Sequence, residues 1–89
     1  MEHKEKLKTN LKKAKSLIIT IERMVEEDRY CPEIMQQILA VIGLLRSVHK
    51  KLMEKHLKGC FAKVSRSEDE GKKNEMINEL LKVIELYRK

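Results

Sequence analysis

The sequence predicts an all-α protein whose protomer is three helices, and three observations carry that reading. Proline occurs once and glycine three times in 89 residues, so the two strongest breakers of helix are nearly absent. Leu, Ile, Lys and Glu recur throughout, the composition of long helices. Apolar residues repeat in steps of three and four through three stretches, which is the spacing of one helical face. The expected helices cover residues 6–28, 32–64 and 72–87 of a single domain, 1–89.

The first six residues, MEHKEK, are charged and expected to fray, with His3 solvated among them. The first helix follows from Leu7, Leu11, Ala14, Ile18, Ile21 and Val25, with Leu17 and Met24 widening the stripe. Lys4, Lys8, Lys12 and Lys15 keep the same spacing on another face, and Lys13 stands beside them. Such a row suits the phosphates of a nucleic acid, although a solvated face has the same pattern. Glu26, Glu27 and Asp28 oppose the helix dipole at a C-terminus, so the helix is expected to stop there.

The second helix organises the rest. Pro32 fits the first helical position, where an N–H would have no partner. Ile34, Ile38, Val41, Leu45, Val48 and Leu52 then mark one face, and Met35, Leu39, Ile42, Leu44 and Met53 a second stripe. Extending the first face outward gives Cys31 at one end and His56, then Cys60, at the other. Cys31 and His56 are 25 positions apart, roughly 37 Å along a helix. One unbroken helix therefore cannot bring all three to one ion. Two copies packed antiparallel, crossing near Gly43, Leu44 and Leu45, set Cys31 of one beside His56 and Cys60 of the other and create two equivalent sites, as a two-fold dimer requires. Gly43 is expected to let the helices approach closely.

The stretch Ser65 to Gly71 is a polar connection. The third helix has Met76, Ile77, Leu80, Val83, Ile84 and Tyr87 on its buried face, with Glu75 and Glu79 along a flank.

Two thiolates and an imidazole form a soft donor set. Three such donors suit trigonal Cu(I); Zn(II) wants a fourth, and Ni(II) more nitrogen, so the metals rank in that order. The bland alternative is a capping Cys31, a core Cys60 and a solvent-facing His56. Two cysteines so far apart are no disulfide framework. No signal peptide is expected. The longest uncharged stretch, within residues 34–45, is too short to span a bilayer, so no membrane partner is expected and a reducing cytoplasm is the expected location. A net charge of +6 favours a polyanionic partner. No phosphate loop or nucleophile–base set is present, which argues against an enzyme. With few aromatics and a short chain, the core of one copy is small, and burial against further copies relieves it.

The run ERMVEEDRYCPEIMQQILAV, then HLKGC and INELL, closely resembles the CsoR/RcnR/FrmR family of bacterial metal-sensing transcriptional repressors, and the Cys–x24–His–x3–Cys spacing its copper-sensing branch. The resemblance implies an antiparallel dimer of three-helix protomers, and a tetramer made of two dimers, without a helix-turn-helix. It implies Cys31, His56 and Cys60 as the Cu(I) ligands, Cys31 coming from the other chain, with Tyr30 and Glu79 as the hydrogen-bonding pair behind His56. It also implies operator DNA as the partner of the apo form, released when Cu(I) binds. Lys8, Lys12, Lys13, Lys15 and Arg46 are the candidate DNA contacts. This chain departs from the family in the first helix. Relatives carry an Arg-x-Arg-x-Glu-Gly-Gln-like segment, whereas here Asn10 replaces a basic residue, Lys12 and Lys13 keep charge without the bidentate fork of Arg, and Glu-Gly-Gln is missing. The 65–71 connection is also about three residues longer than usual. The alternative reading is therefore a metal-binding relative, of Cu, Zn or Ni, with lost or altered DNA binding. A plain helical assembly module with incidental cysteines is the third.

Overall fold

A computed structural model describes residues 2–66 and 68–88, and for Glu2, Cys60, Phe61 and Ser65 the backbone alone. The described residues form α1 (Glu2–Glu26), α2 (Cys31–His56), a π-helical turn (Leu57–Phe61), α3 (Ala62–Ser65) and α4 (Glu70–Arg88). There is no strand among them. The chain divides into two compact units, 1–52 and 53–89.

In the first unit α1 and α2 form an antiparallel hairpin. Buried and half-buried positions recur three and four apart on both helices: Leu7, Asn10, Ala14, Leu17, Ile21 and Met24 on α1, and Ile34, Gln37, Val41, Leu44 and Val48 on α2. Asn10 Nδ2 donates to Ser47 Oγ at 3.4 Å across the pair. The stripes expected from the sequence are therefore split. One edge closes the hairpin. The other, Leu11, Ile18 and Val25 with Ile38, Leu45 and Leu52, is left exposed. The inner spacing extends back to His3, so α1 begins at Glu2 and not near residue 6. His3 is half-buried, with Nε2 enclosed and unpartnered, and not solvated as expected.

The hairpin turn is set by helix-end chemistry. Asp28 takes a left-handed φ of 53°. Its N–H donates to Val25 O at 3.1 Å, and the Arg29 N–H to Met24 O at 3.0 Å, a Schellman closure. The helix thus stops where the acidic run predicted, two residues early. Tyr30 O accepts the Glu33 and Ile34 N–H groups, so Tyr30 caps α2. Cys31 is then the first helical residue and Pro32 the second, one place later than expected.

Gly43 is exposed, and no atom lies within 4 Å of where its Cβ would stand. At about 100° per residue it is turned roughly 140° from Ile38 and 160° from Leu45. Within α2 it lies on the side away from that stripe.

The second helix was expected to stay α-helical to about residue 64. It opens instead into a π turn centred on Gly59, whose weak helix preference makes a wider turn cheapest there. The Ala62 N–H returns to Gly59 O and restores the α-helix. The connection to α4 is shorter than predicted; Ser67 within it lies outside the described residues. Asp69 caps α4, its Oδ1 accepting the Lys72 N–H at 3.0 Å, and this starts the helix at Glu70 and not at residue 72. Met76 and Leu80 are half-buried, whereas Ile77, Val83, Ile84 and Tyr87 of the expected buried face are exposed.

By length and composition alone, the helical run Cys31–Val64 could cross a membrane. The uncharged stretch 34–45 understates it, because an apolar window that admits the flanking charges Glu33 and Arg46 is longer. A helix with the apolar sides of a multi-helix seam passes the same test.

Candidate metal centre

The three proposed ligands stand at the ends of one element. Cys31 is the first residue of α2, an exposed free thiol at the helix N-terminus. His56 is the last residue of α2 and is half-buried. Cys60 follows in the π turn; its side chain lies outside the described set. Within one chain, no group of three or more His, Cys, Asp or Glu is gathered for a metal among the described residues. An unbroken α2 keeps its two ends about 37 Å apart. The donor chemistry nonetheless fits a soft monovalent ion: two sulfurs and one imidazole, with a wide turn linking two of them.

Tyr30 and Glu79 are both exposed, Tyr30 at the cap of α2 and Glu79 within α4. Beside Cys31, Arg29 Nη2 donates to Glu33 Oε2 at 3.0 Å, an exposed i, i+4 pair that brackets the thiol along the helix start.

The predicted DNA contacts fall in more than one place. Lys12 and Lys13 line an open groove of about 480 Å³ together with Thr9, Ser16 and Leu17 of α1 and Leu44 of α2. Lys8, Lys12 and Lys15 lie within about 60° of one another on α1, and Lys13 is turned roughly 140° from Lys8. Arg46 is exposed on α2 and is not part of the groove lining. Thr9 and Ser16 escaped the sequence reading. The spacing 9, 12, 13, 16 is itself a helical row and would have found them. The Thr9 hydroxyl already donates to Glu5 O at 2.9 Å, so the lysines are the groove's cationic donors.

A family model described as metal-sensitive transcriptional repressor matches residues 3–86. The copper-sensing transcriptional repressor CsoR of Bacillus subtilis is 35% identical over 86 residues, 97% of this chain and 82% of that protein. The copper-sensing transcriptional repressor RicR of Mycobacterium tuberculosis is 37% identical over 70 residues, 79% of this chain and 70% of that one. Among solved structures, the copper-sensing repressor CsoR with Cu(I) from Geobacillus thermodenitrificans superposes with a TM-score of 0.86 at 35% identity, covering 100% of this chain and 90% of that chain. A three-helix chain with thiol and imidazole donors at the ends of its second helix, matched along nearly its whole length, belongs to the metal-sensitive transcriptional repressor family.

Proposed function

We infer that this chain is a Cu(I)-responsive transcriptional repressor, not an enzyme, that binds operator DNA without metal and releases it when Cu(I) binds between subunits. One observation carries the reading: a thiol opens and an imidazole closes one unbroken 26-residue helix, with a second cysteine one turn beyond. Only a second, antiparallel copy supplies the missing end. Cys31 of one subunit then joins His56 and Cys60 of its partner in a trigonal site suited to Cu(I) and less to Zn(II) or Ni(II). The copper-sensing names of the relatives support the same ion. The imidazole binds through one ring nitrogen, and the other N–H is left to the Tyr30 and Glu79 pair, which fixes tautomer and ring angle. Glu79 lies on α4, so ligation reaches that helix. The whole chain, 1–89, acts as one domain, in a homodimer that pairs again into a tetramer, in a reducing cytoplasm and without a membrane partner. Lys8, Lys12, Lys13, Lys15 and Arg46, shared among four copies, bear on the phosphates.

A second reading, a metal-binding relative with lost or altered DNA binding, has one observation in its favour. Asn10, where relatives carry a basic residue, is half-buried and engaged with Ser47, and offers DNA nothing.

Fluorescence anisotropy on a labelled fragment of the gene's own upstream region separates the two. Apo protein under reducing conditions is expected to bind, and Cu(I) to release it at about one ion per chain. Cys31→Ala keeps the DNA and loses the response. By linkage, DNA weakens Cu(I) binding by the factor by which Cu(I) weakens DNA binding. Absence of a specific complex at any copper level, with stoichiometric copper bound, sinks the repressor reading and leaves the second.

A further inference from the structure

The outer face of α2 carries Ile38, Leu39, Ile42, Leu45 and Leu52, with Arg46 and His49 among them, and methionine only near its ends. Met35 stands one turn after Cys31, and Met53 one turn before His56. Five helical turns separate the two methionines, so they share one angular position, within about 60° of the line from Cys31 to His56. Met35 is 60% exposed, and Met53 is half-buried. Leucine fills the same volume at either place, as it does elsewhere on this face, so packing alone does not call for sulfur.

The antiparallel dimer inferred above, on which this argument rests, turns that placement into a pair. A register that sets Cys31 level with the partner's His56 sets Met35 within one residue of level with the partner's Met53. Antiparallel symmetry puts both on the same flank of the seam. We propose that Met35 and the partner's Met53 form a two-thioether site for Cu(I), one turn inside each Cys–His–Cys set, which takes up the ion before the thiolates do. Thioethers are neutral and soft: they accept Cu(I), discriminate against Zn(II) and Ni(II), and lose no proton on binding. The thiols must shed protons to become ligands and then hold the ion more tightly. Transfer is ligand exchange without redox change. The two thioether–copper contacts break, two thiolate–copper bonds form, and the thiol protons pass to solvent while copper remains Cu(I).

The test uses full-length protein with isotope-labelled methionine methyls, Ag(I) as a redox-inert probe, and Cu(I) from a weak chelate. In Cys31→Ser/Cys60→Ser protein, one equivalent of Ag(I) shifts the methyls of Met35 and Met53, leaves those of Met1, Met24 and Met76 in place, and Zn(II) moves none. In the native protein a second equivalent of Ag(I) gives the same two shifts, so the result does not hang on the cysteine variant. Met35→Leu/Met53→Leu protein loads Cu(I) about ten-fold more slowly than native, timed by the thiolate-to-copper absorption band. Methyls of Met35 and Met53 that stay in place in both proteins, or a Leu variant that loads as fast as native, overturn the proposal. The absorption band judges the Cys–His–Cys reading separately: a native band saturating at one copper per chain upholds that reading even when the thioether site fails, and its absence removes that reading whatever the methyls do.

Discussion

At the scale of single residues, helix ends determine where chemistry sits. Asp28 holds a left-handed φ of 53° to close α1, and that closure delivers Cys31 to the first position of α2. A side chain bearing a Cβ pays sterically for this conformation, and glycine does not. Asp28→Gly is therefore expected to stabilise the protein by about 0.5–1 kcal/mol, read as a higher urea midpoint at unchanged slope. A lower midpoint would mean that the Asp28 carboxylate contributes a contact outweighing the strain. The acidic run Glu26–Asp28 made this end legible, because its charge opposes the dipole. The Asp69 cap was equally available in the sequence, as an acidic residue just before a helical stretch, but the stretch Ser65 to Gly71 reads as turn throughout and conceals which residue begins the helix. The charged residues of α1 carry a second expectation. Lys12 and Lys13 share the groove wall, so Lys12→Gln and Lys13→Gln each weaken DNA binding on all sequences alike. Each lowers the slope of log affinity against log salt by about 1 for every phosphate contact removed. A change confined to one operator sequence would instead mean that these lysines read bases.

At the scale of elements, apolar periodicity predicts the helices but not the allocation of their faces. Leu7, Leu11, Ala14 and Ile18 read as one stripe, yet a helix in a hairpin uses only a narrow seam. Asn10, polar and so left out of that stripe, takes a seam position through its bond to Ser47. The π turn was illegible for a related reason: Gly59 is tolerated inside many helices, and nothing in LKGCF distinguishes a widened turn from a weakened one. Gly43 shows the opposite case, where angular arithmetic on the sequence already places it away from the stripe of Ile38 and Leu45. It occupies a helix interior with open space around its missing Cβ. Gly43→Ala should stabilise α2 by about 0.5–1 kcal/mol through helix preference alone. Its sedimentation behaviour should match that of the native protein. A variant that gains helicity but falls apart into monomers would return Gly43 to the subunit contact.

At the scale of the whole molecule, the buried apolar residues among those described are only Ala14, Met24, Val41 and Val48. Against them stands a continuous exposed strip of six aliphatic side chains on one side of the hairpin, Leu11, Ile18 and Val25 with Ile38, Leu45 and Leu52. The antiparallel order of α1 and α2 puts these two rows side by side, because an equal rotation from the inner seam on either helix leads to the same flank. A monomer with so small a core and so long an apolar strip has little to offset its chain entropy. The proposed metal site and the incompleteness of the protomer rest on the same reasoning: candidate ligands at opposite ends of one helix, and an apolar face with no occupant, both call for a second copy. Folding is then inseparable from association. The urea midpoint of the native protein should fall as protein concentration is lowered, since two unfolded chains replace one folded dimer. Leu45→Glu, which sets a charge in the middle of the strip, should abolish the dimer and unfold most of the helix in the same step, seen together in sedimentation and circular dichroism. A midpoint independent of concentration, or a Leu45→Glu protein that stays fully helical as a monomer, would show that the hairpin stands alone. The metal ligands would then have to be assembled by contacts elsewhere on the chain.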